Sequence, residues 1–76
     1  MCLGVPMQIL EINDDMVVAE IDGVQREASL MMLGEPVVVG DYVIVHAGFA
    51  ISRIDPAEAE ETLRIMREIF RPEDMA

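Results

Sequence analysis

The chain holds one cysteine and one histidine, Cys2 and His46, and these two side chains carry most of its nucleophile and soft-metal chemistry. A thiolate is both a nucleophile and a soft donor, suited to iron, copper(I) or zinc and not to magnesium or calcium. Cys2 stands in the opening run Met1-Cys2-Leu3-Gly4-Val5-Pro6, ahead of the first strand pattern, where core packing gives it no obvious role. With no second cysteine it forms no disulfide within the chain. Removal of the initiator methionine would set an α-ammonium beside the sulfur, and that charge favours the thiolate. The alternative is an incidental terminal cysteine, and bare chemistry leaves both readings standing.

His46 closes the strand pattern Tyr42-Val43-Ile44-Val45-His46. One cysteine and one histidine are too few for a closed structural zinc site. They suffice for two ligands of an open site that a partner, or the metal's own small ligands, would complete. The competing reading is a strand histidine satisfied by backbone bonds. A Cys–His nucleophile pair would also need an orienting third group, for which Asp41 and Asp55 qualify by composition alone.

These residues must be positioned by short elements. A chain of 76 residues makes one small domain, which buries about 60% of its unfolded surface. A hydrophobic fraction of 53% is enough for a core but leaves no room for a substrate cleft of enzyme size, so a compact binding module is expected. Fifteen acidic residues against five arginines give a formal charge of −10. That balance opposes nucleic acid and anionic membrane surfaces as partners, because both select clustered positive charge. No basic and apolar leader opens the sequence, and no apolar run nears the roughly 20 residues of a membrane span. A cytoplasmic location with a reduced thiol is the expectation.

Met7–Ile12 reads as a first strand stopped by the turn chemistry of Asn13-Asp14-Asp15. Met16–Ile21 is a second strand, and Asp22-Gly23 is a strong two-residue hairpin signal leading to a third strand from Val24. In that strand Val24, Arg26 and Ala28 alternate with Gln25, Glu27 and Ser29. Leu30-Met31-Met32-Leu33 either extends it or forms an exposed apolar ridge before Gly34-Glu35-Pro36. Seven methionines are many for this length; Met7, Met31 and Met32 suit either core gaps or an adaptable contact surface. After Val37–Val39 and a turn at Gly40-Asp41 come the strands Tyr42–His46 and Phe49–Ile54.

The period then changes to that of a helix. Asp55 suits the N-cap, Pro56 the first helical position and Glu58 a capping box. Ala59, Leu63, Met66 and Phe70 fall on one face, with Thr62, Ile65 and Ile69 beside them, and arginines gather toward a stop at Pro72. The expected fold is mainly β: a small barrel or sandwich of about five strands (residues 1–55) with a C-terminal amphipathic helix and short tail (56–76), as one domain.

Two stretches carry a resemblance that covers nearly the whole chain. Met1-Cys2-Leu3-Gly4-Val5-Pro6 is similar to M-C-x-(A/G)-(I/V)-P, and residues 40–51, from Gly40-Asp41 through His46-Ala47-Gly48 to Ile51, are similar to G-D-(Y/W)-V-x-V-H-x-G-(F/Y)-A-(I/L). Together, at this spacing, they resemble the HypC/HupF/HybG family of nickel–iron hydrogenase assembly chaperones. The resemblance implies an OB-like β-barrel and a non-enzymatic protein. It also implies that Cys2 helps hold iron as Fe(CN)2CO, transiently and shared with a partner, with His46 as a second ligand or as a group that tunes the thiol. The implied partners are HypD, HypE through the HypC–HypD complex, and the precursor of the hydrogenase large subunit before nickel insertion. The implied contact residues are Met1, Cys2, Leu3, Gly4, Val5, Pro6 and His46. The alternative is a small thiol-dependent redox or metal-carrier protein unrelated to hydrogenase.

Overall fold

The computed structural model describes residues 4–69. Five strands and one helix follow in order: β1 (Val5–Asn13), β2 (Met16–Ile21), β3 (Val24–Ser29), β4 (Tyr42–His46), β5 (Phe49–Ile54) and α1 (Pro56–Ile69). The strands close into a barrel in the order β1-β2-β3-β5-β4, the OB-like architecture expected. All pairings are antiparallel except the seam between β3 and β5, where Ser29 meets Phe49 in parallel. There the Ser29 N–H donates to the Gly48 carbonyl at 2.8 Å.

β1 begins at Val5, two residues before the pattern of alternation suggests, because Val5 and Pro6 already pair with Val45 and Ile44. Val5, Met7 and Ile9 point inward and are buried, as period two requires, and meet Val17, Ala19, Ile21, Ala28, Val43, Val45 and Ala50 in the core. Pairing with β2 shifts register between Ile9 and Glu11; such a bulge bends a strand. On its other edge β1 bonds past the end of β4: the Ile9 N–H donates to the Asp41 carbonyl, and the Gly40 N–H to the Ile9 carbonyl, both at 2.9 Å. One long strand thereby carries both neighbours of the site.

Residues 30–33 do not extend β3. The Leu33 N–H donates to the Leu30 carbonyl at 2.9 Å, closing a turn in which Leu30 and Leu33 pack on the core while Met31 and Met32 stand exposed at 78% and 63%. The methionines therefore divide: Met7 and Met66 fill the core, and Met31 and Met32 face outward.

The helix starts as its sequence predicts. Asp55 offers its carbonyl to the Ala59 N–H at 2.9 Å, and Pro56, which has no N–H to lose, takes the first helical position. Among the described residues no N–H donates to the carboxylates of Asp55 or Glu58, so the capping box is present in sequence but not bonded. Ala59, Leu63 and Met66 are buried, and Leu63 and Met66 join the barrel core. The expected stripe is correct through Met66; Phe70 and the stop at Pro72 lie outside the described residues. No helix among the described residues is long and apolar enough to cross a membrane.

Candidate functional site

The β1–β4 register fixes the site. Val5 faces Val45 and Pro6 faces Ile44, so one further step sets Gly4 beside His46. Val43 and Val45 are buried while Tyr42, Ile44 and His46 are only partly covered, which places the His46 imidazole on the outer wall of the barrel. Its opposite neighbour is Phe49 on β5, joined through the two-residue turn Ala47-Gly48. Directly opposed residues of a hairpin share a face, so His46 and Phe49 stand together, the phenyl ring 38% exposed.

That turn is tight. Ala47 and Gly48 both take positive φ, 52° and 84°, the conformation a two-residue hairpin needs. Glycine adopts it freely, whereas alanine at positive φ costs about 1–2 kcal/mol. The cost fixes where β4 ends and so where His46 sits.

Gly4 is glycine for a different reason. Gly23, Gly40 and Gly48 have positive φ with open space where a Cβ would stand, whereas Gly4 has no positive φ and a Cβ there would run into the Ile44 Cγ2 methyl. Its smallness lets the chain lie close against β4. Pro6 is fully buried beside it, and its fixed φ stiffens the path.

His46 makes no side-chain hydrogen bond among those described between residues 4 and 69. The imidazole nitrogens are thus not tied to the strand backbone. Among the described residues no group of three or more His, Cys, Asp or Glu side chains converges as a metal site. Met1, Cys2 and Leu3, which carry the thiol and half of the expected contact segment, lie outside the described residues; Gly4, Val5, Pro6 and His46 are brought to one edge.

The two aspartates available by composition as orienting groups are elsewhere. The Asp41 carboxylate accepts from the Val38 N–H at 2.9 Å and lies 3.7 Å from Arg53. It sits at the opposite end of β4 from His46, about 16 Å along an extended strand. Asp55 follows the far end of β5. An open cleft at that end, lined by Glu35, Asp41, Tyr42, Arg53 and Glu58 among others, is likewise remote from His46. No Cys–His–Asp arrangement is formed with either residue.

Two residues at this edge are absent from the site residues that the sequence suggests. Phe49 joins the site because a two-residue turn makes positions 46 and 49 face each other, a signal present in the hairpin spacing. Ile44 joins it only through cross-strand packing on Gly4, which no local pattern reveals.

Known proteins resemble the chain over nearly its whole length. The sequence model of the HupF/HypC family matches residues 1–66, a span that includes both motifs and the barrel. The chain is 47% identical over 72 residues to the hydrogenase maturation factor HypC of Cupriavidus necator, covering 93% of this chain and 79% of that protein. It is 44% identical to HypC of Helicobacter hepaticus, covering 93% and 84%. Identity to HypC of Escherichia coli K12 is 40%, covering 92% and 83%.

Proposed function

The chain belongs to the HupF/HypC family, and from that premise we propose that it is a hydrogenase maturation chaperone that uses Cys2 to hold and hand over an iron group. The cargo is iron bearing two cyanides and one carbonyl, received in a complex with HypD and HypE and passed to the precursor of the hydrogenase large subunit before nickel insertion. The protein works as a carrier, not as an enzyme. The observation that supports this most is the β1–β4 register, which pairs Val5 with Val45, the residues that adjoin Gly4 and His46 in the chain. Cys2 is two residues from Gly4 in the sequence, which makes this edge the part of the described barrel nearest to the thiol along the chain.

The chemistry suits a carrier. A thiolate is a good donor to low-spin iron, and a site with one or two protein ligands lets the cargo pass to an acceptor with more. His46, half-buried and with no partner among the described residues, serves as second ligand or as a hydrogen-bonding neighbour of the sulfur. Phe49 beside it gives a partner protein an apolar contact at the point of transfer.

The test is Cys2→Ala in the host cell. The variant is expected to keep the barrel's melting temperature, lose co-purification of HypD and the large-subunit precursor, and abolish hydrogenase activity. Infrared spectra of the parent complex should show cyanide and carbonyl stretches that the variant lacks. Normal hydrogenase maturation with Cys2→Ala would overturn the proposal.

A further inference from the structure

We propose that the exposed turn Met31-Met32, with Met16 and Phe49 beside it, is a docking surface for a basic amphipathic helix of a partner protein. This surface stands apart from the role given to Cys2, and rests on it only where HypD serves as a probe.

Strand register builds the surface. Met16 on β2 faces Ser29 on β3, Ser29 faces Phe49 on β5, and Phe49 faces His46 on β4. The residues beside them, Val17, Ala28, Ala50 and Val45, are buried, so the row looks outward on one face of the sheet. The turn after Ser29 is bonded to this row. The Leu30 N–H donates to the Asp15 carbonyl at 2.7 Å, and the Met31 N–H to the Ser29 Oγ at 3.1 Å. Leu30 and Leu33 anchor the turn on the core, so Met31 and Met32 are held outward from a fixed base. Met16 is itself 40% exposed.

Single exposed apolar residues are ordinary, but four grouped round one position, Ser29, mark an interaction surface. Methionine is unbranched and polarizable and moulds itself to an apolar partner. Charge selects the occupant. Asp14 and Asp15, both exposed, stand at the rim just before Met16. Arg26, Arg53 and Arg67 are engaged elsewhere, with the Gln25 carbonyl, with Glu35 and Asp41, and with Asp22. In a chain of formal charge −10, a second copy would set acidic rim against acidic rim, and an anionic membrane would be repelled. A helix with an apolar face and basic flanks meets both the methionines and the aspartates.

The test uses the full chain with methyl-labelled methionine, followed by NMR. A synthetic helix with leucine on one face and lysine on the other is the first probe, and HypD is the second. Both are expected to shift the Met16, Met31 and Met32 methyl signals and to leave those of the buried Met7 and Met66 in place. Met31→Ser/Met32→Ser changes two exposed side chains, so it should keep the melting temperature while raising Kd about tenfold or more. Asp14→Asn/Asp15→Asn should weaken binding by several-fold and flatten its dependence on salt.

Binding that leaves the Met16, Met31 and Met32 signals unmoved overturns the proposal. So does a parent-like Kd in the serine variant for either probe that binds the parent chain. A dimer in sedimentation that the serine variant dissolves would make a second copy the occupant and overturn it as well. If HypD does not bind the parent chain, the reading of Cys2 fails, while the synthetic helix still decides this surface.

Discussion

At Asp22-Gly23 and at Ala47-Gly48 the chain reverses through two residues of positive φ, 47° and 87° in the first turn and 52° and 84° in the second. The backbones are nearly the same; the attachments are not. The Asp22 carboxylate takes two hydrogen bonds from Arg67 of α1, from Nε at 2.8 Å and from Nη2 at 2.7 Å, a fork-to-carboxylate pair. The Arg67 hydrogen bond holds the Asp22 carboxyl below the usual carboxylate range against a smaller opposing effect of burial. The first turn is thereby tied to the helix. In the second turn the first position is alanine, with no polar side-chain atom, so the turn is held through its backbone, where the Gly48 carbonyl accepts from the Ser29 N–H, and its neighbours are His46 and Phe49. The first turn is held by a side chain of the helix, and the second only by backbone at the β3–β5 seam, beside the only histidine.

The difference can be broken most forcefully at the helix. Leu63 is 3% exposed and sits in the barrel core, so Leu63→Ala should cost about 2–5 kcal/mol, read as a loss of denaturant midpoint. With α1 loosened, removing the Asp22 carboxylate should then have no further effect. A continued effect would mean that Arg67 and Asp22 stay paired without the packed stripe. Next in size are Gly23→Ala and Gly48→Ala, each expected to cost about 1–2 kcal/mol for an alanine at positive φ. If the two turns differ only in attachment, these two losses should be alike.

Asp22→Asn keeps a residue tolerant of positive φ and breaks only the ion pair. Both partners are partly exposed, with side chains 40% and 31% accessible, so the expected loss is no more than about 1 kcal/mol and shrinks in salt. The pH dependence follows in sign. A carboxyl whose folded pKa is lowered adds stability above its unfolded value, near pH 4, and that stability disappears as pH falls through the lowered folded value. Thermal melts of parent and Asp22→Asn should differ at pH 7 and converge in acid. The smallest effect is a gain: Ala47→Asn places a residue that tolerates the left-handed region and should stabilise by on the order of 0.5 kcal/mol. At about 4–8 °C per kcal/mol for a domain of this size, that is a shift of a few degrees in Tm.

Much of the barrel was legible because its signals are local. Asp22-Gly23 needs two positive φ values, and few other dipeptides supply them so readily. Strands β2, β4 and β5 have the bounds their alternation and turns suggest, and Pro56 marks the start of α1. The start of β1 was less legible, since Val5 and Pro6 become strand only by pairing with Val45 and Ile44 across 40 residues of chain. Leu30–Leu33 was ambiguous for the same kind of reason. Four apolar residues suit either a longer strand or an exposed ridge, and only the core beneath Leu30 and Leu33 leaves Met31 and Met32 as the exposed part.

What the sequence determined by itself was the chemistry: one thiol, one imidazole, a strongly acidic chain, and two motifs spaced as in the HupF/HypC family. Residue identity is enough for that, since donor character and charge do not depend on the fold. What only the tertiary structure decided was adjacency. Closing the barrel sets Gly4 against β4, brings Phe49 opposite His46, and sends Asp41 and Asp55 to the far end, away from the imidazole. Those placements follow from strand register, which is set by burying Val5, Met7 and Ile9 against residues distant in the chain, and long-range packing of that kind leaves no mark in any short stretch of sequence.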